Sequence, residues 1–115
     1  MASGDFRAAP PAALVGGITG LRRIAYMAQE ANLVFTPHTW TNGMGLVANA
    51  HLTAACADAP FVEFPYDPPE WTLRRRDFPM LEPFDIDLNG DIVLSDRPRL
   101  GYELNEDLLA RTRIG

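Results

Sequence analysis

The sequence contains no lysine, so all ten of its basic residues are arginine, as a GC-rich coding sequence produces. It has a single cysteine, Cys56, which excludes an internal disulfide and fits a reducing compartment. No apolar run approaches the length of a membrane span. No basic flank followed by an apolar stretch opens the chain, so a cytoplasmic protein without export signal is expected. With a net charge of −5, nothing favours nucleic acid or an anionic membrane as partner. The 115 residues suffice for one small domain but not for a whole (β/α)8 barrel, which needs about 250. What is present is globular in composition, 47% hydrophobic with mixed charge.

Residues 1–13 are rich in Ala and Pro and show neither helical nor strand period. A short strand around Ala12–Val15 is the most that segment suggests, and Pro10-Pro11 argues against a central one. From Thr19 to Ala31, Leu21, Ile24, Ala25 and Ala28 recur at helical spacing. Thr19 is the expected N-cap, and Asn32 the stop, because asparagine tolerates the left-handed conformation. Leu33–Thr36 reads as a short strand covered on both faces. Pro37-His38-Thr39-Trp40-Thr41-Asn42-Gly43 is loop chemistry directly after it. A second helix is expected from about Leu46 to Ala57, then a strand at Phe61–Phe64 stopped by Pro65. This strand–loop–helix rhythm is that of a parallel sheet.

Pro65–Pro83 holds five prolines and the Arg74-Arg75-Arg76 run, and reads as an extended surface segment. Phe84–Leu88 and Asp91–Leu94 alternate around Asn89-Gly90, a strong hairpin signal. Asn105 can cap a last helix running to about Arg111. His51, inside the second helix, reads as structural or surface. Cys56 reads as a small buried residue that nothing nearby activates. Trp71 reads as an anchor for the tail, and Arg74–Arg76 as a solvated face. From these residues alone, a small α/β binding domain with a hairpin stays open.

Specific residues then narrow the reading. Gly16-Gly17-Ile18-Thr19-Gly20 opens a helix, the next strand ends in Pro37-His38, and the following one ends in Glu63. Asn89-Gly90 and Leu100-Gly101-Tyr102-Glu103-Leu104 mark the tail. From about Gly16 to Leu109 this order resembles the last third of the barrel in the mandelate racemase branch of the enolase superfamily, including its acid-sugar dehydratases. The resemblance implies an α/β fold: the C-terminal portion of a (β/α)8 (TIM-type) barrel, about two βα units, then a tail with a β-hairpin and a short helix. It divides the chain into an atypical segment 1–15, barrel units 16–64, and a tail 65–115 that would pack on a capping domain.

The resemblance also implies chemistry. His38 takes the position of the histidine base that ends the seventh strand. Glu63 takes that of a glutamate near the substrate carboxylate or its enolate. Trp40 and Asn42, on the loop after the histidine, are candidate substrate contacts. The substrate class implied is a small carboxylate, a sugar acid, undergoing dehydration or racemisation. Removing a proton next to a carboxylate needs electrostatic stabilisation of the enediolate, which Mg²⁺ provides in the intact parent. Its ligands come from earlier strands, so no metal ligand is expected in this chain. The parent is expected to be a homo-oligomer.

One departure stands out. The aspartate that pairs with the histidine in that branch falls on Pro11, so the His–Asp dyad is broken. An out-of-register or misplaced start would account for the Ala/Pro/Arg-rich opening. The chain alone is therefore expected to be inactive. A truncated, non-catalytic product is the rival reading, self-associating through faces that the rest of a barrel would cover.

Overall fold

A computed structural model describes residues 16–115 and, in backbone, the strand at residues 7–9. The elements in order are β1 (Arg7–Ala9), α1 (Gly17–Glu30), β2 (Phe35–Pro37), α2 (Gly43–Ala54), α3 (Leu73–Arg76) and α4 (Glu106–Thr112). β1 and β2 pair in parallel, Arg7 opposite Phe35 and Ala9 opposite Pro37, with α1 as the crossover between them. The strand beside β2 is thus Arg7–Ala9; the strand expected around Ala12–Val15, like Pro11, lies outside the described residues.

The helical spacing read in α1 translates directly into packing. Leu21 and Ala25 are buried and meet Phe35 of β2 and Leu52 of α2, with Ile24, Ala28, Cys56 and Ala59 at the rim. The helix starts earlier than Thr19 because Gly16, at φ 88°, takes the left-handed conformation and acts as N-cap. It ends as expected, with Asn32 at φ 55°. α2 is shifted towards the N-terminus relative to the sequence reading, because the Asn42 side chain accepts a hydrogen bond from Gly45 N and starts the helix at Gly43.

α2 lies between two apolar clusters, which explains why it is buried nearly all round. Leu52 belongs to the first cluster. Leu46, Val47 and Ala50 form the second with Met80 and Phe84, flanked by Val62, Phe64, Ile92 and Tyr102. Full burial of Leu46 and Phe84 contributes about 1.5–3 kcal/mol each. Truncating Leu46 to alanine would cost about 2–5 kcal/mol.

Three expectations are corrected. Phe61–Phe64 forms no strand and joins no ladder with any described residue. Its approach to β2 rests on Phe35 N donating to Asp58 O at 3.2 Å. The hairpin reduces to a turn: Asp87 N donates to Asp91 O and Gly90 N to Asp87 O, and the flanking residues form no strands. The Asp87 carboxylate closes that turn by accepting from Asn89 N and Asp91 N, while Ile86, Leu88 and Val93 stay exposed without a covering layer. The arginine run is not extended surface but a helical turn, α3, capped by the Thr72 hydroxyl. α4 matches its expectation, with Asn105 capping through Leu108 N.

Candidate active site

β2 ends at Pro37, and the chain then turns with His38 half exposed and Thr39 fully buried. The turn is held by one side chain of α2. Asn49 Nδ2 donates to His38 O and to Thr39 Oγ1, each at 3.1 Å. Thr39 Oγ1 in turn donates to Pro37 O at 2.9 Å. Asn49 is completely buried, and the sequence reading missed it; its only signal is an amide on the apolar face of a helix that follows the histidine.

The structure brings His38 and Glu63 together. His38 Nδ1 lies 2.8 Å from Glu63 Oε2, and the same oxygen accepts from Thr39 N at 2.5 Å. The glutamate carries 35% exposure and the histidine 48%, so the pair faces solvent from a backbone that is locked beneath it. Among the described residues His38 Nε2 has no partner.

Trp40, 48% exposed, stacks on Trp71 with ring centroids 6.1 Å apart and planes at 22°. The Arg75 guanidinium covers Trp71 at 5.5 Å. Trp71 Nε1 is buried with no hydrogen-bond partner among the described residues. Trp71, read from sequence as an anchor of the tail, is therefore the support beneath Trp40. Asn42 is exposed, and its Oδ1 is used as the cap of α2, which leaves its amide nitrogen for other contacts.

Behind Glu63 sits a buried cation. Arg76 is 0% exposed, correcting the solvated-face reading, which holds for Arg74 and Arg75 only. Its Nε and Nη2 bracket the Asp77 carboxylate at 2.7 Å each. Nη1 donates to Pro65 O at 3.2 Å, and Nη2 also donates to Phe84 O. The guanidinium lies 4.4 Å from the Phe64 ring centroid. Asp77 Oδ2 accepts from Phe84 N at 2.9 Å, so one ion pair ties the segment just after Glu63 to the tail. Its other face presses on α2: a Cβ at Gly43 would stand 2.2 Å from Asp77 Oδ1 and 2.4 Å from Met80 Sδ. The only hint in the sequence is the adjacency of Arg76 and Asp77. His51 is structural, its Nε2 lying 2.9 Å from Leu100 O.

Among the described residues no three His, Cys, Asp or Glu side chains converge as metal ligands. His38 and Glu63 offer one nitrogen and one carboxylate, whereas a hard cation such as Mg²⁺ wants about six oxygens. The described residues do not fit that ion. No helix among them is long and apolar enough to cross a membrane.

A family model described as Enolase C-terminal domain-like matches residues 8–108. Arabinonate dehydratase of Saccharolobus solfataricus is 34% identical over 94 residues, covering 79% of this chain and 23% of that protein. A crystal structure of a mandelate racemase/muconate lactonizing enzyme from Sulfitobacter sp. superposes with a TM-score of 0.70 at 28% identity, covering 86% of this chain and 24% of the other. A Burkholderia xenovorans protein solved with magnesium and fumarate shares the fold at 22% identity and a TM-score of 0.69, over 83% of this chain and 22% of its own. The chain spans about a quarter of the length of the curated relatives it matches.

Proposed function

The chain belongs to the mandelate racemase/muconate lactonizing enzyme family of the enolase superfamily, as part of its (β/α)8 barrel, and from that membership we propose that His38 and Glu63 serve α-proton abstraction from a sugar acid. The observation that carries the proposal is the 2.8 Å contact between His38 Nδ1 and Glu63 Oε2 at the exit of β2, with Nε2 unpartnered among the described residues. Histidine suits the task, since its unperturbed titration range lies near neutral pH.

The substrate class rests on the likeness to a protein named arabinonate dehydratase. Dehydration of such an acid removes the proton at C2 and expels the C3 hydroxyl as water. The resulting enol then ketonises to a 2-oxo-3-deoxy acid. In this reading His38 Nε2 takes the C2 proton, and Glu63 stands beside it. The exposed Trp40 face covers the sugar carbons, and the free amide of Asn42 meets a hydroxyl. Enzymes of this superfamily generally use Mg²⁺, whose ligands this proposal places outside the described residues.

Residues 16–64 substituted for the matching stretch of arabinonate dehydratase test the reading. The hybrid should form the 2-oxo acid from arabinonate, and His38→Asn should lower the rate by about 10²–10⁴-fold. A hybrid equally active with and without His38 would remove the proposal.

A second reading, association through uncovered faces, draws on the exposure of Phe61 (64%) and Val93 (68%). Sedimentation of the purified chain decides it; a monomer at all concentrations counts against it.

A further inference from the structure

A neutral imidazole holds one N–H, and the nitrogen without it is the one that can act as a base. His38 Nδ1 lies 2.8 Å from Oε2 of Glu63, an ion-pair distance. An ionised carboxylate only accepts, so Nδ1 must carry the hydrogen and Nε2 must keep its lone pair. The carboxylate itself is well anchored. The same Oε2 accepts from Thr39 N, whose residue is fully buried and held by Asn49. Arg76, fully buried, binds Pro65 O just beyond Glu63. The carboxylate is thus anchored on the same turn that carries the imidazole, and Asn49 holds that turn through both His38 O and Thr39 Oγ1.

From β1 through all but the last residue of α1 there is no other carboxylate to do this, because residues 6–29 contain neither Asp nor Glu. We propose that Glu63 is the positioning residue for His38. It takes over the orienting role that a carboxylate on the strand before α1 would hold, and its carboxylate beside Nδ1 makes Nε2 the basic nitrogen. This deepens the reading of His38 as a base and rests on that reading for its meaning.

The chain contains its own reference. His51 Nε2 lies 2.9 Å from Leu100 O, and a carbonyl also only accepts. His51 must therefore carry its hydrogen on Nε2, the tautomer opposite to that of His38.

The test is two-bond ¹H–¹⁵N correlation spectroscopy of the ¹⁵N-labelled chain at alkaline pH, where the unprotonated nitrogen of each imidazole is identified by its shift. His38 should be unprotonated at Nε2, and His51 at Nδ1. In Glu63→Ala, His38 should revert to the Nε2–H form that free imidazole favours, while His51 stays unchanged and reports an intact fold. A wild-type His38 in the Nε2–H form, or an even mixture, overturns the proposal. So does a Glu63→Ala chain, with His51 unchanged, in which His38 keeps Nδ1–H. Should the variant unfold, shown by loss of the His51 tautomer, the wild-type spectrum alone decides. The measurement needs neither substrate nor metal. The predicted tautomer in a chain whose hybrid is inactive would refute the function alone, and the opposite tautomer in an active hybrid would refute this inference alone.

Discussion

Arg76→Met removes the buried cation while keeping most of the side-chain volume. It deletes both contacts to the Asp77 carboxylate, those to the carbonyls of Pro65 and Phe84, and the stacking on Phe64. Asp77 keeps Phe84 N but stays buried without its counter-charge. Breaking a buried pair from one side costs about 3–5 kcal/mol, a large share of the ~5–15 kcal/mol that stabilises a typical domain. With a urea dependence of about 1.5 kcal/mol per molar, the midpoint should fall by about 2–3 M, or the cooperative transition should vanish. Urea titration followed by circular dichroism measures this, with exposed Arg74→Met as a control expected within about 0.5 kcal/mol of wild type. The Thr39 amide resonance should shift as well, because Glu63 loses the tie just beyond it. A midpoint change below about 0.5 M, matching the control, would refute the assignment of Arg76 as the latch between the Glu63 segment and the tail.

Gly43→Ala should destabilise by about 1–3 kcal/mol in the same titration, since the added methyl meets Asp77 Oδ1 and Met80 Sδ at contact-forbidden distances; a neutral result would mean that the start of α2 can move away. The Asp87 carboxyl is held below the ordinary aspartate value of 3.8, first by the Asp91 amide and then by that of Asn89. Its contribution is therefore present above that value and lost as pH falls through the lowered one. In NMR titration the Asn89 and Asp91 amides should move over that acid range, and Asp87→Asn should abolish the movement. Burial pushes the Cys56 thiol up, partly countered by Arg22. Iodoacetamide at pH 8 should thus label the native chain more slowly than urea-unfolded chain, and equal rates would contradict the packing of Cys56 beside α1.

Local signals were legible where one segment suffices to express them. The apolar run before Pro37-His38, the helical spacing of Leu21 and Ala25, the stop at Asn32 and the cap at Asn105 each depend on residues close in sequence. His38 and Glu63 could be named from the sequence as the pair to watch. Their contact could not be read from it, because it needs Phe61–Phe64 laid beside β2 by Asp58 O and held by Arg76. The burial of Arg76 was hidden for the same reason. A guanidinium in a charged run is buried only when partners distant in sequence, here Phe64, Pro65 and Phe84, surround it. The Asn89-Gly90 turn formed, but its flanks had no sheet or helix to cover Leu88 and Val93, so turn chemistry alone did not make strands. Asn49 shows the converse case: an amide inside an apolar helix is where a buried backbone group needs a donor.

The central claim is that His38 is a base acting on a carbon next to a carboxylate. Its most direct test is the rate at which the C2 proton signal of arabinonate disappears in D2O with Mg²⁺, followed by ¹H NMR, for the hybrid carrying residues 16–64 and its His38→Asn variant. The account predicts steady loss with His38 and loss near the uncatalysed rate without it. Equal loss in both, or none in a hybrid whose fold is intact, would contradict it.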